Sequence, residues 1–205
     1  MPQHGFARDS LWTLHKSLQL QTGETEIVMQ LTSNKETHKL FDYEFLLEVT
    51  FLVGKELTVT LTTTNTDSKP FTLTQALHTY LMVDDIKDIS IQGVQETPFI
   101  DYADEKKEKK EKESLQITCE VNRVYLPTTA TCLLHDTRQK HTIKVSKSGS
   151  HSTTIWNPWQ ASGIHDLPDE TYRSFVCIET TNALSDAITL APNTIHSISQ
   201  TIGVT

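Results

Sequence analysis

Four short stretches of the sequence carry residue types suited to acid–base or anion-binding chemistry. They are Pro2–Arg8 (PQHGFAR), Ala76–Tyr80 (ALHTY), Ile155–Trp159 (IWNPW) and Phe175–Glu179 (FVCIE). Together they supply imidazole, guanidinium and carboxylate groups. Histidine and glutamate are common general acids and bases because their pKa values can be tuned to lie near neutrality.

His78 is the first candidate for proton transfer. Period-2 alternation over residues 71–81 predicts one strand that places His78 on a small, polar face shared with Tyr80. Such a face would leave room for a ligand beside the imidazole. The alternative is a histidine that is hydrogen-bonded inside a sandwich and has no ligand.

Glu179 is the second candidate. It follows an apolar run, Phe175–Ile178, that predicts a strand buried on both faces. A carboxylate beside such a run must be paired, hydrogen-bonded or partly solvated, or its pKa rises. A raised pKa suits a general base that works near neutrality. The alternative is a carboxylate that emerges into water at the end of the strand.

Arg8 is a candidate anion ligand. It lies four residues after His4, past Gly5, and a glycine would permit a tight backbone approach. The planar guanidinium group matches the geometry of a phosphate. A salt bridge to Asp9 or another carboxylate is the competing interpretation.

The sequence gives no support for a metal site. None of the nine histidines forms a close ligand pair with cysteine or carboxylate support, and His135 and His141 are expected to flank a turn between two strands. The three cysteines, Cys119, Cys132 and Cys177, are an odd number without CxxC spacing. This pattern favours reduced thiols over a disulfide framework or a zinc site.

The elements that must position these residues are short β-strands. No stretch shows sustained helical periodicity, and turn-forming residues separate the alternating segments. Many short strands without alternating helices favour an all-β antiparallel sandwich or barrel. The predicted strands are Tyr43–Phe51, Glu56–Thr62, Phe71–Leu81, Ile89–Val94, Leu115–Val121, Thr142–Val145, Thr153–Trp156, Phe175–Thr180 and Ser197–Ile202.

We predict a single domain over residues 1–205, because the strand pattern continues on both sides of one charged stretch. That stretch, Glu105–Glu113, reads EKKEKKEKE. It is predicted to be a solvated, mobile hairpin loop. A docking site for a partner is the alternative.

Composition narrows the partners. A net charge of −8 argues against nucleic acid and anionic membranes as partners. A small anionic substrate is compatible with this charge, because one arginine can dominate a local pocket. The start of the chain lacks the basic and apolar regions of a secretory signal, and no apolar run is long enough to span a bilayer. These features predict a cytoplasmic globular protein and do not indicate its oligomeric state.

Taken in order, the motifs resemble the glucose-6-phosphate 1-epimerase (hexose-6-phosphate mutarotase) branch of the aldose 1-epimerase family. The similarity runs from PQHGFAR through LHTY, WNPW and CIE to LAP at 190–192, and so covers nearly the whole chain. It implies an antiparallel β-supersandwich of the galactose mutarotase type, with a sugar site on one concave face. It also implies that no metal or redox cofactor is needed.

The resemblance assigns roles to individual residues. His78 would be the general acid and Glu179 the general base. Gln3, His4 and Arg8 would line the site for the sugar and its phosphate.

Two departures from the family pattern stand out. An aspartate of the family corresponds here to Asn122, which can accept a hydrogen bond from a sugar hydroxyl but carries no charge. Family members also begin upstream of PQHGFAR, with strands and an arginine-containing loop that helps to hold the phosphate. The resemblance therefore implies that this chain lacks the N-terminal portion.

The implied function is the interconversion of the α and β anomers of a hexose 6-phosphate, such as glucose 6-phosphate, by general acid–base ring opening. Asn122 and the short N-terminus favour an alternative, a non-catalytic carbohydrate-binding or regulatory β-sandwich of the same family. A purely structural interaction domain is a third interpretation, for which the charged stretch is the only indication.

Overall fold

The structure is a computed structural model that describes residues 4–160, 168 and 170–205. Within these residues, regular structure is almost entirely β. The one α-helix in this part of the chain, α1, is the single turn Lys35–His38, and none of the helices described is long and apolar enough to cross a membrane. Short 3₁₀ turns lie at Ala7–Asp9, Ile86–Asp88, Thr171–Ser174 and Leu184–Asp186.

The strands in chain order are β1 Thr13–Gln19, β2 Thr25–Thr32, β3 Phe45–Val53, β4 Leu57–Asn65, β5 Phe71–Leu73, β6 Gln75–Leu77, β7 Tyr80–Met82, β8 Ile89–Gln92, β9 Pro98–Asp101, β10 Lys107–Lys110, β11 Val121–Tyr125, β12 Cys132–Asp136, β13 His141–Ser148, β14 Ser152–Asn157, β15 Phe175–Asn182, β16 Ile188–Leu190 and β17 Ile195–Val204.

These strands form two large antiparallel sheets and a small ribbon. The first sheet has the order β1-β2-β3-β4-β17-β13-β12-β8. The second has the order β10-β9-β11-β14-β15-β6, and β7 also pairs with β15. The ribbon contains β16 and β5. The prediction of an all-β antiparallel architecture is confirmed.

The main core lies between the two large sheets. Alternation along each strand sends every second side chain inward, and most of the inward side chains are β-branched or aliphatic. Burying one such side chain contributes about 1.5–3 kcal/mol. Core members from both sheets include Ile91, Leu134, Val145, Val121, Ile155, Val176 and Ile178.

A second, smaller hydrophobic cluster holds the N-terminal segment. Its buried members are Leu31, Phe45, Phe71 and Leu190. Phe6 packs against this cluster, with its ring centroid 5.6 Å from that of Phe45. We call this the N-terminal cluster. It fixes the chain directly beside His4 and Arg8.

The predicted strand over 71–81 is not continuous. Phe71–Leu73 pairs with the ribbon strand β16, whereas β6 and β7 both pair with β15. His78 lies in the two-residue gap between β6 and β7, where Thr79 N donates to Leu77 O at 3.0 Å. The single-strand prediction was wrong because the local pattern reveals neither the change of partner between β5 and β6 nor the interruption of the ladder at His78 and Thr79.

The predicted strand over Leu115–Val121 is largely irregular. Leu115 forms an isolated bridge with Ile91, and regular pairing begins only at Val121. Leu115 and Ile117 are nevertheless buried in the main core. The alternation in this segment therefore reports burial and not strand pairing.

The charged stretch also differs from the predicted loop. Lys107–Lys110 forms β10, which pairs with β9 at the edge of the second sheet. Lys109 Nζ lies 2.8 Å from carboxylate oxygens of Asp101 and Asp104, so the charges are paired locally. Charged side chains on an edge strand discourage pairing with another chain.

Candidate active site

The structure places His78 and Glu179 side by side. His78 Nδ1 lies 3.4 Å from Glu179 Oε1. The pairing register explains this contact, because Leu77 is opposite Thr180 and Tyr80 is opposite Cys177. The His78 turn therefore sits directly beside the segment of β15 that carries Glu179.

Asn122 lies on the same face of the sheet. It is opposite Trp156, which is opposite Cys177, which in turn is opposite Tyr80. Residues directly opposite each other in antiparallel strands project to the same side. The row therefore runs from Asn122 to Tyr80, and Glu179, two positions after Cys177, shares its face.

Aromatic rings surround the imidazole. The His78 ring stacks on Tyr80 with a centroid distance of 5.0 Å and an interplanar angle of 7°. Trp156 meets it edge-on at 5.8 Å, and His4 does so at 5.7 Å. We call His4, His78, Tyr80 and Trp156 the aromatic site cluster. Together with the carboxylate it provides a surface with both apolar and polar groups, as small-molecule sites commonly have.

Burial controls the protonation of Glu179. It lies in the middle of β15, all of whose residues are buried, and not at a solvated strand end. Burial raises the pKa of its carboxyl group to about 8. The proton is therefore held to higher pH than in an exposed glutamate.

The imidazole is shifted in the opposite direction. Burial is the main cause that lowers the pKa of His78, and the nearby His4 and Arg8 lower it further. His78 Nδ1 is buried and makes no aligned hydrogen bond to any described residue, despite its 3.4 Å contact with Glu179. The contact therefore does not offset the cost of burial, and both groups favour their neutral forms.

Arg8 extends from the 3₁₀ turn Ala7–Asp9 with an exposed side chain. Within the described part of the chain, its only ion pair is with Asp9 at 4.0 Å. Its charge nevertheless acts at the site, since it lowers the pKa of both His4 and His78. The guanidinium group is available to an anion beside the imidazole.

Gly5 has a different role from the one expected. A Cβ at this position would meet no atom within 4 Å, so no tight backbone approach occurs there. Its φ of +71° instead lies in the left-handed region, which glycine adopts without strain. Gln3, the remaining predicted site residue, lies outside the described residues.

The fold also brings Cys177 to the site, which sequence reasoning did not anticipate. Donor atoms of His78, Cys177 and Glu179 lie within 4.8 Å of one another. Burial raises the pKa of the Cys177 thiol, so the thiolate that a soft metal would require is disfavoured. Period-2 alternation already places Cys177 and Glu179 on one face of the strand, whereas the approach of His78 depends on the pairing register of β15.

The Asn157 side chain of the WNPW motif is structural. Its Nδ2 donates to Tyr172 O at 2.8 Å and to Phe175 O at 2.9 Å. Its Oδ1 accepts from Trp159 N at 2.8 Å. These bonds fix the start of β15, the strand that carries Glu179. His135 and His141 flank the turn between β12 and β13, as predicted.

Comparison with known proteins gives a consistent family. The family model described as Aldose 1-epimerase matches residues 1–203. A protein of Cenchrus ciliaris is 30% identical over 203 residues, and one of Escherichia coli is 34% identical over 186 residues. Both bear the name "Putative glucose-6-phosphate 1-epimerase". The alignments cover 94% and 89% of this chain but only 61% of each relative.

Solved structures agree on the fold. A crystal structure described as a "putative mutarotase (YeaD)" from Salmonella typhimurium matches with a TM-score of 0.91 and 29% identity, covering 100% of this chain and 68% of that one. A galactose mutarotase-like protein from Lactobacillus casei matches with a TM-score of 0.79 and 18% identity, covering 100% of this chain and 76% of that one. The expected galactose mutarotase-like fold is confirmed.

Proposed function

Because this chain belongs to the aldose 1-epimerase family, we propose that it interconverts the α and β anomers of a hexose 6-phosphate. The observation that carries the proposal is the 3.4 Å contact between His78 Nδ1 and Glu179 Oε1 at the aromatic site cluster. Mutarotation needs an acid and a base that reach two oxygens on the same anomeric carbon. Neighbouring imidazole and carboxyl groups meet that requirement.

The reaction moves protons and breaks one C–O bond. The base removes the proton from the O1 hydroxyl while the acid protonates the ring oxygen O5. The C1–O5 bond then breaks, and the O1 electrons form the aldehyde C=O. Rotation about C1–C2 presents the other face of the aldehyde, and reversal of the proton transfers closes the ring as the other anomer.

The acid–base pair must hold one transferable proton. The sequence-based assignment places this proton on His78, with Glu179 as the carboxylate. The pKa shifts favour the other location, with neutral His78 and protonated Glu179. The two forms have the same total charge and titrate as one coupled unit, so either arrangement supplies one acid and one base.

Catalysis is therefore expected to have a bell-shaped pH dependence. Activity falls above about pH 8 as the pair loses its proton from the carboxyl group of raised pKa. Activity also falls at acid pH, when His78 is protonated and the pair holds two protons. Because the pKa of His78 is lowered, this second limb lies below pH 6.5, the ordinary pKa of histidine. Among the described residues, the titratable groups next to the pair include His4, Arg8, Cys177 and Tyr80.

The profile is measured as enzyme-dependent anomer exchange, after subtraction of the spontaneous rate at each pH. Free glucose should be run beside glucose 6-phosphate, because a phosphate monoester itself titrates near pH 6. An alkaline limb in both substrates supports the assignment. A rate that stays flat through pH 9 contradicts it.

Arg8 is proposed as a phosphate ligand. Its exposed guanidinium is close enough to the imidazole to affect the His78 pKa, and among the described residues its one ion pair is the 4.0 Å contact with Asp9. A phosphate bound there would anchor the far end of the sugar while leaving C1 free to rotate. Binding energy remote from the reacting atoms is then used for orientation.

We expect Arg8→Ala to raise KM for glucose 6-phosphate by about 10- to 100-fold, from the 1.5–3 kcal/mol typical of hydrogen bonds to charged groups. KM for free glucose should change little. Arg138→Ala is the control, since Arg138 is exposed and already paired with Asp84 and Asp88. Equal effects of Arg8→Ala on both sugars would remove the phosphate role.

The function itself is tested by saturation-transfer NMR between the anomeric signals of glucose 6-phosphate. Acceleration of exchange over the protein-free rate supports the proposal. Calorimetric binding of the same sugar without acceleration would instead identify a carbohydrate-binding protein, which the uncharged Asn122 amide favours. The described cysteines are free thiols, which suits the reducing cytoplasm proposed from the sequence.

A further inference from the structure

Gln200 is a polar side chain buried between the two large sheets. It lies on β17 of the first sheet and is 0% exposed. An amide in such a place must find hydrogen-bond partners, because an unpaired buried polar group is unfavourable. Its partners therefore indicate what the residue does.

The hydrogen bonds of Gln200 cross to the second sheet at two points. Its Oε1 accepts from the hydroxyl of Thr79, the residue that follows His78. Its Nε2 donates to Ile178 O at 2.9 Å and to Thr180 Oγ1 at 3.2 Å. Ile178 and Thr180 are the residues on either side of Glu179.

Alternation explains why the amide does not touch the reacting groups. Glu179 projects toward the aromatic site cluster, so the Ile178 and Thr180 side chains project to the opposite, inter-sheet side. Thr79 likewise points inward where His78 points outward, as its bond to Gln200 shows. The Gln200 side chain thus forms hydrogen bonds, from the inter-sheet side, to both segments that carry the proposed pair.

The His78 turn has few other contacts of the backbone ladder to hold it in place. His78 and Thr79 fall between β6 and β7 and take no part in the ladder with β15. In the described residues, the hydroxyl of Thr79 has no hydrogen-bond partner other than Gln200. The hydrogen bond between Thr79 and Gln200 therefore helps to set the position of the imidazole relative to the carboxyl group.

We propose that Gln200, acting through Thr79, is a positioning residue that holds His78 against Glu179 at the separation proton exchange requires. This inference rests on the proposed function, because the positioned groups are its acid and base. Misplacement of reacting groups by about 1 Å can slow catalysis by about 10²-fold. Loss of the hydrogen bond between Gln200 and Thr79 should therefore lower kcat and leave KM nearly unchanged.

The sharpest test uses Thr79, where the hydroxyl can be removed at constant shape. Thr79→Val is expected to lower kcat about 10- to 100-fold, with KM within about threefold. Thr79→Ser keeps the hydroxyl and should restore most of kcat. Gln200→Leu removes the same bond and also the two bonds to β15, so it should lower kcat at least as much as Thr79→Val. Adding Thr79→Val to Gln200→Leu should slow the protein no further, because the bond between the two residues is already lost.

Thr153→Val is the matched control. Its hydroxyl is buried but has no hydrogen-bond partner among the described residues, so its removal breaks no bond of the kind that Thr79 makes. It should leave kcat unchanged. Wild-type kcat in a folded Thr79→Val protein, or a Thr79→Ser protein as slow as Thr79→Val, would overturn the inference.

A readout independent of turnover separates this inference from the proposed function. The NMR shifts and titration of the His78 ring nitrogens should change in Thr79→Val and not in Thr153→Val. A change without anomer exchange in the wild type would support the positioning and refute the function. Unchanged His78 signals in Thr79→Val would refute the positioning, whatever the activity.

Discussion

Replacement of Glu179 by glutamine is expected to slow enzyme-dependent anomer exchange by about 10²–10⁴-fold, the range typical of a lost general acid or base. The amide has nearly the shape of the carboxyl group but cannot give up or take up a proton in the reaction. Binding of the sugar phosphate should change by no more than a few fold. Saturation-transfer NMR measures the exchange, and calorimetry measures the binding.

Glu48→Gln is a suitable control for this change. Glu48 is a partly buried carboxylate of the first sheet, and its Oε1 accepts from Gln30 at 2.8 Å. Exchange in Glu48→Gln should equal that of the wild type. Wild-type exchange in Glu179→Gln would end the assignment of Glu179.

Stability gives a second readout for Glu179→Gln. Burial raises the carboxyl pKa from 4.5 to about 8, so the folded chain binds this proton more tightly than the unfolded chain. The carboxyl group therefore lowers folding stability progressively as the pH rises from about 4.5 to about 8. Glutamine removes this contribution, and the Tm difference between variant and wild type should grow in favour of the variant over that range.

Replacement of His78 by asparagine in the wild-type protein is expected to lower kcat by about 10²–10⁴-fold. Asparagine does not exchange protons near neutral pH, so the sugar would lose one of its two proton-transfer partners. The stacked contact with Tyr80 would also be lost. Exchange NMR gives kcat, and calorimetry shows whether the sugar phosphate still binds.

His135→Asn serves as the matched control. His135 is also half-buried, and its Nδ1 contacts Thr142 Oγ1 at 2.9 Å on the first sheet. It should keep wild-type exchange. A His78→Asn protein that binds weakly but turns over at the wild-type rate would assign His78 to binding and not to proton transfer.

The sequence predicted the fold class because alternation is a local property. Each strand needs one inward face, and β-branched residues on β4 and β14 show that face without knowledge of their neighbours. The same property placed His78 and Tyr80 on one face, and their stacked rings show that they share it. Alternation did not reveal the change of partner between β5 and β6 or the interruption of the ladder with β15 at His78 and Thr79.

The site was predictable only in part. The family resemblance selected His78 and Glu179, but their proximity depends on pairing between strands about a hundred residues apart. Gln200 was missed for the same reason, because its hydrogen-bond partners lie on the other sheet. Local alternation places Cys177 on the same face as Glu179, but its proximity to His78 again depends on strand pairing.

The protonation states illustrate a second limit. The sequence indicated that Glu179 would have a raised pKa if it were buried, and the structure shows that it is buried. The sequence did not indicate that the pKa of His78 would be lowered by burial and by the charges of His4 and Arg8. Those charges reach the imidazole only because the N-terminal segment folds back over the site.

Each of the two hydrophobic clusters holds a different part of the candidate site in place. Arg8 is anchored through Phe6 on the N-terminal cluster, whereas Glu179 belongs to a strand packed in the main core. Remodelling the packing around Phe6 would therefore move His4 and Arg8 while the main core keeps β15 in place. Because both residues also lower the pKa of His78, such a change would alter the proton affinity of the imidazole together with the positive charge beside it.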